Sequence, residues 1–423
     1  MNYRIFPPED LLEARIKMPL SKSISNRALM INALTAGASP LKEVADCDDT
    51  QAMRAGIGIK EGKVDVGAAG TAMRFLTAYY ASIPGTDIIL DGSERMRQRP
   101  IGELVDALKL CGADITYVAN EGFPPLHIKG KKLEGGEIAI KADISSQFIS
   151  AIMMVGPLMN EGLTIFLKGE TKSLPYIRMT LEMMKQWGVN VEMEGDVIRI
   201  PHGDYKPTDF TVEGDWSAAS YWYEIEALTS GWITLDGLRQ FSLQGDSWVK
   251  VIFTNLGVNT EFDGESGGVD LVATPDSSPR LLADMTDTPD LTQTVVVTCA
   301  MLGIPFRIEG VSSLRIKETD RLEALKSELM KVGIVVTIEG DNTIIWEGSR
   351  CPVTELPVFD TYDDHRMALA LAPVSLFLPG IRVRNAQVVS KSYPGYWDDL
   401  RSAGFRLEEV PDDKDNTEAA VSE

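Results

Sequence analysis

The sequence has few of the residues that build disulfides, zinc sites or nucleic-acid surfaces. It contains four cysteines and three histidines in 423 residues, and no two cysteines are spaced as C-x-x-C. Neither a disulfide framework nor a zinc site is therefore indicated. Basic residues number 41 against 62 acidic ones, a formal net charge of -21. Because so acidic a surface repels phosphate backbones, we expect no nucleic-acid partner.

The chain also lacks a long apolar segment. Its longest apolar run, residues 367–381, is interrupted by Pro373 and Pro379, so it is too short to span a bilayer. The first ten residues do not show the basic start and apolar core of an export signal. We therefore expect a cytoplasmic protein without a membrane partner.

Two patterns recur along the chain, which is long enough for two domains. In the first, a helical stretch closes on a glycine and a short strand follows, at Gly112, Gly188, Gly257, Gly333 and Gly404. In the second, a polar helix start precedes an apolar helix, a glycine-containing turn and a strand. It occurs over residues 23–44, 71–90, 145–167, 217–235, 291–308 and 364–383. These patterns predict an α/β fold of six similar units, three in each domain.

One of the six units is predicted to be shortened. Between Cys47 and Gly70 there is room for a helix over residues 49–55 and a strand over residues 64–66, but not for the full unit. Residues 411–423 are acidic and polar with almost no apolar anchor. This composition predicts a disordered tail.

Cations and hydroxyl residues collect at the polar helix starts. Backbone N–H groups at a helix start bind anions, so several converging starts would form a pocket for a ligand with more than one anionic group. Taken alone, any one start is better explained as a capped helix with ordinary surface cations. The arginines that recur at these starts in so acidic a chain favour phosphate or carboxylate binding. The starts carry Lys22, Ser23 and Arg27; Gly70 and Arg74, followed by Arg99; Ser145, Ser146 and Gln147; Asp290; and His365 with Arg366.

The densest charged cluster covers residues 315–322. This cluster leads into a helix expected through Val332. If Lys317 is itself helical, it shares a face with Arg321 at i,i+4, and the two repel unless an anion lies between them. Glu318 beside them could exchange a proton with a ligand. A salt-bridged amphipathic helix is the alternative for this segment. His365, between Asp364 and Arg366, is expected in a charged network rather than as a general base.

Six motifs in this order resemble the signature blocks of the 5-enolpyruvylshikimate-3-phosphate synthase family, across nearly the whole chain. They lie at residues 21–28, 69–74, 95–101, 145–148, 317–322 and 364–367. The sequence departs from the family pattern at Leu20, Ala68, Phe75 and Ser313, and none of these departures removes a charged catalytic residue.

The resemblance implies a two-domain inside-out α/β barrel with three repeated βαβαββ-like units in each domain. Residues 1–18 and 216–410 would form the terminal-half domain, and residues 19–215 the central domain with the shortened unit. It also implies transfer of the enolpyruvyl group of phosphoenolpyruvate to the 5-hydroxyl of 3-phosphoshikimate, with release of phosphate through a tetrahedral intermediate.

The resemblance also implies roles for individual residues. Asp290 would accept the hydroxyl proton, Glu318 would exchange the methyl-group proton, and Lys22 would assist either. The implied ligands of 3-phosphoshikimate are Lys22, Ser23, Arg27, Ser145, Ser146, Gln147, Ser173, Tyr176, Asp290, Ser313 and Lys317. Those of phosphoenolpyruvate are Lys22, Gly70, Arg99, Gln147, Arg321, Arg366 and Lys391, with Arg74 and His365 in a supporting charged network.

The expected partners are these two small substrates alone, with no cofactor or metal, and the expected state is a monomer. One alternative is the related enolpyruvyl transferase that acts on UDP-N-acetylglucosamine. That enzyme carries a loop cysteine, for which Cys111 is a poor candidate because it lies between Leu110 and the Gly112 cap. A second alternative is an inactive relative that only binds phosphorylated metabolites.

Overall fold

Short strands alternate with helices in a computed structural model that describes residues 1–142, 145–264 and 268–411. Strands and helices are numbered in chain order. The strands are β1 Asn2–Phe6, β2 Glu13–Lys17, β3 Glu61–Asp65, β4 Asp87–Asp91, β5 Asp114–Tyr117, β6 Leu126–Lys129, β7 Gly136–Lys141, β8 Leu163–Lys168, β9 Glu192–Glu194, β10 Val197–Ile200, β11 Trp232–Asp236, β12 Leu256–Phe262, β13 Gly268–Ser277, β14 Leu281–Asp284, β15 Phe306–Glu309, β16 Thr337–Glu339, β17 Thr343–Trp346, β18 Val358–Phe359, β19 Ile381–Val383 and β20 Arg406–Val410. The helices are α1 Lys22–Ala33, α2 Asp48–Gly56, α3 Gly70–Ser82, α4 Gly102–Leu110, α5 Ser146–Val155, α6 Leu174–Gln186, α7 Trp216–Thr229, α8 Val249–Thr254, α9 Thr292–Leu302, α10 Arg321–Lys331, α11 His365–Leu371 and α12 Tyr396–Ser402.

The chain divides into two units, each with its own hydrophobic core. The first unit comprises Met1–Pro19, Gly214–Ser242 and the chain from Asp246 onward, and the second comprises Leu20–Glu213 with Leu243–Gly245. The predicted tail lies outside the described residues except for Pro411. No helix in the described part of the chain is long and apolar enough to cross a membrane.

The first unit contains three four-stranded sheets in its described part. Their strand orders are β18-β19-β1-β20, β2-β11-β13-β12 and β14-β15-β17-β16. In each sheet the first two strands of this order pair in parallel, and the remaining neighbours pair antiparallel. Helix α11 lies between β18 and β19 in the chain, and α9 lies between β14 and β15. The longer path from β2 to β11 includes α7. A parallel pair needs such a crossover, whereas a hairpin suffices for an antiparallel one.

The second unit contains two sheets of the same kind in its described part, in the orders β3-β4-β6-β5 and β7-β8-β10-β9. Helix α3 connects β3 to β4, and all thirteen of its residues are buried. It packs against α1, α2, α4 and α5. Because α3 is buried on every side, it forms the centre of this unit.

The predicted glycine caps are confirmed at four of the five positions, after the ends of α4, α6, α10 and α12, whereas Gly257 is the second residue of β12. Gly112, Gly188, Gly257, Gly333 and Gly404 have φ between 79° and 95°. In this left-handed region a β-carbon is strained, which is why helix ends favour glycine.

One prediction of local structure is wrong, and the condition under which Lys317 and Arg321 would share a helix face is not met. The strand expected at the end of residues 23–44 is absent, because that segment continues as coil, with Ala45 N donating to Ser25 Oγ at 2.9 Å. Lys317 is not helical. The side chain of Asp320 accepts from Leu322 N and Glu323 N and so starts α10 at Arg321.

Candidate active site

In the second unit, the predicted residues around Lys22 gather at helix starts. Ser21 caps α1, since its Oγ accepts from Ile24 N, and Lys22 is the first residue of that helix. The Lys22 ammonium lies 3.6 Å from Oδ2 of Asp49 in α2. A helix N-terminus and a cation together favour an anionic ligand.

Arg27 lies one turn further along α1 and is buried among neutral groups. Its Nε donates to Thr180 Oγ1 at 2.7 Å, one Nη to Ser23 O at 3.0 Å and the other Nη to Ser150 Oγ at 3.1 Å. Burial lowers the pKa of Arg27 to about 10. The guanidinium also lies over the rings of Phe75 and Tyr176, so its position is fixed before any ligand binds.

A second set of cations surrounds the start of α3. Gly70 begins that helix, and a β-carbon there would lie 2.6 Å from Arg99 Nη1. Arg74 donates to Gly70 O and to Pro100 O, each at 3.2 Å, and its guanidinium lies over the ring of Phe148. Arg74 therefore supports the backbone of this helix start, and it is buried.

Two further helix starts supply the remaining predicted residues of this unit. Ser145 caps α5, where its Oγ accepts from Gln147 N, and Gln147 Nε2 donates to Thr71 Oγ1 at 3.1 Å. This bond joins the starts of α5 and α3. Ser173 precedes α6 at φ 56°, in the left-handed region. Ser146 is buried, while Ser23, Gln147 and Tyr176 are half-buried.

In the first unit, Arg321 is the centre of a network of charged side chains. It binds both carboxylate oxygens of Asp364, through Nε at 2.7 Å and Nη2 at 3.2 Å. Its Nη1 donates to Asp290 Oδ1 at 3.2 Å and its Nη2 to Glu318 Oε2 at 3.1 Å. Burial alone would lower the pKa of Arg321, but the three carboxylates outweigh it and raise that pKa.

Asp290 and Glu318 each bridge more than one cation. Asp290 also accepts from Arg366 at 2.8 Å and lies 3.7 Å from the Lys317 ammonium. Glu318 accepts from Lys391 Nζ at 2.6 Å. This cluster thus brings four cations together with three carboxylates, and several cations in one place suit an anionic ligand.

The remaining groups of the first unit support this cluster. Asp364 caps α11 and is fully buried, and Nδ1 of His365 lies 3.6 Å from Asp364 Oδ1. Arg366 also donates to the hydroxyl of Tyr221 at 3.2 Å. Burial raises the pKa of Tyr221 to about 12, although Arg366 opposes this shift. Ser313 lies in a 3₁₀ turn before Lys317.

Two buried carboxylates beside these clusters lie outside the motifs of the sequence. Asp49 lies next to Lys22, and Asp246 accepts a hydrogen bond from Ser217 in the first turn of α7. Burial raises the pKa of Asp246 to about 7, with a further contribution from Asp290 and an opposing one from Arg366. Neither aspartate stands in a recognisable motif, so only the fold shows where they lie.

No group of three or more histidine, cysteine or acidic side chains in the described ranges is arranged to hold a metal ion. All four cysteines are free thiols, and Cys111 is buried in the core of the second unit.

The comparisons with known proteins agree with one another. A family model described as EPSP synthase (3-phosphoshikimate 1-carboxyvinyltransferase) matches residues 7–59 and 57–400. A 3-phosphoshikimate 1-carboxyvinyltransferase of Bacteroides fragilis is 50% identical over 409 residues, which cover 96% of this chain and 99% of that protein. A protein of the same name from Vibrio campbellii is 35% identical and covers 93% of this chain and 98% of its own length.

A solved structure extends the likeness to the fold. EPSP synthase from Acinetobacter baumannii superposes with a TM-score of 0.75, covering 96% of this chain and all of that one. Its sequence identity is 21%, so the likeness concerns the fold alone.

Proposed function

The chain belongs to the EPSP synthase (3-phosphoshikimate 1-carboxyvinyltransferase) family, and we propose that it transfers the enolpyruvyl group of phosphoenolpyruvate to the 5-hydroxyl of 3-phosphoshikimate. The products are 5-enolpyruvylshikimate-3-phosphate and inorganic phosphate. This reaction belongs to the shikimate pathway, which leads to the aromatic amino acids.

The observation that carries the proposal is the network around Asp290 and Glu318. Both substrates are phosphorylated carboxylates, so their binding requires several cations, and the network holds four. It also presents two carboxylates for proton transfer. General acid–base catalysis needs such groups close to the reacting atoms.

In the proposed addition step, Asp290 accepts the proton of the 5-hydroxyl as its oxygen attacks the enol carbon of phosphoenolpyruvate. Glu318 in its acid form delivers a proton to the neighbouring methylene carbon, which becomes a methyl group. The tetrahedral intermediate then loses phosphate as the methyl group returns a proton, which restores the double bond. Lys22 assists these proton transfers.

The cations act by positioning the substrates and by stabilising charge on the departing phosphate. We assign phosphoenolpyruvate to Lys22, Gly70, Arg99, Gln147, Arg321, Arg366 and Lys391. We assign 3-phosphoshikimate to Lys22, Ser23, Arg27, Ser145, Ser146, Gln147, Ser173, Tyr176, Asp290, Ser313 and Lys317. Arg74 and His365 support these groups.

We further propose a two-domain inside-out α/β barrel, with residues 1–18 and 216–410 in one domain and residues 19–215 in the other. The buried helix α3 and the strand order common to all five described sheets support repeated units. The second unit has two such sheets in its described part, which supports a shortened third repeat. The protein would act as a cytoplasmic monomer on its two substrates alone.

The test is phosphate release from phosphoenolpyruvate, measured with and without 3-phosphoshikimate, and with UDP-N-acetylglucosamine as a competing acceptor. We expect release only with both proposed substrates, and near-complete loss in Asp290→Ala and Lys22→Ala. Matched controls are Asp398→Ala and Lys42→Ala, because both side chains are exposed. Full activity in either site variant would refute the assignment. Ligand-induced stabilisation of the parent protein without phosphate release would instead indicate a binding protein.

A further inference from the structure

A buried aspartate stands behind the Lys22 ammonium. Asp49 is the second residue of α2, and its Oδ2 lies 3.6 Å from Lys22 Nζ. Its side chain is 4% exposed and that of Lys22 is 14% exposed. The two charges therefore face each other where water screens them little.

The carboxylate of Asp49 is incompletely satisfied. Its second oxygen, Oδ1, is buried and has no hydrogen-bond partner among the described residues. A buried acceptor without a partner destabilises the folded state, and a well-packed apolar residue of similar volume would avoid this cost. A costly charge at such a position is typical of functional sites.

The separation between the two groups also limits what the pair can do. At 3.6 Å it exceeds the usual length of a charge-assisted hydrogen bond. The contact is therefore an attraction between charges that orients the ammonium without a closed hydrogen bond. The attraction to Asp49 in α2 thus holds the Lys22 ammonium near the start of α1.

We propose that Asp49 is a positioning residue that holds the Lys22 ammonium where it meets the reacting groups. This inference rests on the proposed function, which assigns Lys22 to both substrates. Asp49 touches neither substrate in this proposal and acts through Lys22 alone. The competing interpretation is a structural ion pair that joins α1 to α2, and the two differ in what a neutral substitution does.

The experiment compares Asp49→Asn with Asp48→Asn. Asp48 is the exposed first residue of α2, so its substitution removes the same charge from the same helix turn. In Asp49→Asn we expect kcat to fall roughly tenfold or more, because small displacements of a catalytic group are costly. The KM for 3-phosphoshikimate should change much less than kcat, because several other proposed ligands also hold this substrate and the loss of a negative charge does not repel an anion. Asp48→Asn should match the parent protein in both constants.

Two further readouts separate positioning from structure. Asp49→Asn should melt within about 2 °C of the parent, because the amide keeps the shape of the side chain and the Lys22 ammonium, whose side chain is 14% exposed, is not left as a fully buried charge. Asp49→Glu, which restores the carboxylate, should recover most of the lost kcat. A clear fall in melting temperature, a rise in KM at unchanged kcat, or equal losses in the Asn and Glu variants would each overturn the proposal. A parent protein that releases no phosphate would instead refute the proposed function.

Discussion

Gly70 packs directly against Arg99: a β-carbon built on Gly70 would lie 2.6 Å from Arg99 Nη1 and 3.2 Å from Arg99 Cζ. Real β-carbons almost never approach another atom so closely, so any side chain at residue 70 must displace the guanidinium. The start of α3 and the position of Arg99 are therefore coupled. The proposed phosphoenolpyruvate ligands Gly70 and Arg99 depend on each other.

We predict that Gly70→Ala raises the KM for phosphoenolpyruvate roughly tenfold and leaves the KM for 3-phosphoshikimate nearly unchanged. The reason is that Arg99 moves away from one substrate only. Steady-state phosphate release at varied concentrations of each substrate measures this. Gly102→Ala is the matched control, because Gly102 also begins a helix but its β-carbon would lie at ordinary contact distance, 3.4 Å from Gly122 Cα. An unchanged KM in Gly70→Ala would contradict the coupling.

Features of the fold that depend on one residue's backbone conformation can be predicted from the sequence, and features that depend on distant hydrogen bonds cannot. The left-handed cap at Gly112 leaves a mark in the sequence, because few other residues adopt φ 95° without strain. The strand expected near Val44 does not form. Backbone N–H groups there find side-chain acceptors, as Ala45 N does at Ser25 Oγ, and so need no strand partner. Periodicity alone does not reveal such a bond.

The candidate site can be predicted only in part from the sequence, because some of its contacts join residues that are far apart in the chain. Lys22 and Arg321 stand in motifs, and their residue types alone suggest anion binding. Their partners Asp49 and Asp364 are 27 and 43 positions away, so only the folded chain brings them together. Asp246 is likewise an ordinary aspartate in the sequence and becomes notable only through burial beside Ser217.

The pair of Arg321 and Asp364 should be important for stability. Both side chains are almost fully buried and share two hydrogen bonds. Asp364→Asn leaves the Arg321 charge partly uncompensated, so we expect the free energy of unfolding to fall by about 3 kcal/mol. Asp398→Asn breaks an exposed pair with Arg401 and should cost less than about 1 kcal/mol. Urea denaturation of both variants gives this comparison, and equal losses would show that burial of the pair does not matter.

The pKa of Asp246, raised to about 7 mainly by burial, predicts a pH dependence. Above pH 7 Asp246 gains a negative charge near Arg366, so the KM for phosphoenolpyruvate should rise between pH 6 and 8. Because the folded pKa lies above the unfolded value of about 4, its stabilising contribution is complete below pH 4 and is lost as the pH rises through 7. Asp246→Asn should flatten both trends. Asp276→Asn is the control, because Asp276 is exposed, and it should show both pH trends of the parent. A pH profile of Asp246→Asn identical to that of the parent would show that Asp246 does not cause these trends.

Glu224 offers a test that is independent of catalysis. Both of its carboxyl oxygens are buried in α7 without a hydrogen-bond partner among the described residues, and burial raises its pKa well above the usual range. Glu224→Met replaces the carboxyl with an apolar group of similar length, so we expect a gain of roughly 1–3 kcal/mol in the free energy of unfolding. Glu192→Met, at an exposed position in β9, should change it by less than about 0.5 kcal/mol.

The gain in Glu224→Met should also depend on pH in a defined direction. Since the folded pKa of Glu224 is raised, the parent protein loses stability as the pH rises above the unfolded value of about 4.5, because folding must then take up a proton. Methionine does not titrate, so the advantage of the variant should grow between pH 5 and pH 8. Urea denaturation at both pH values measures the difference. A gain that stays constant with pH would mean that the carboxyl is ionised in the folded protein, and a loss of stability would mean that it has a polar partner.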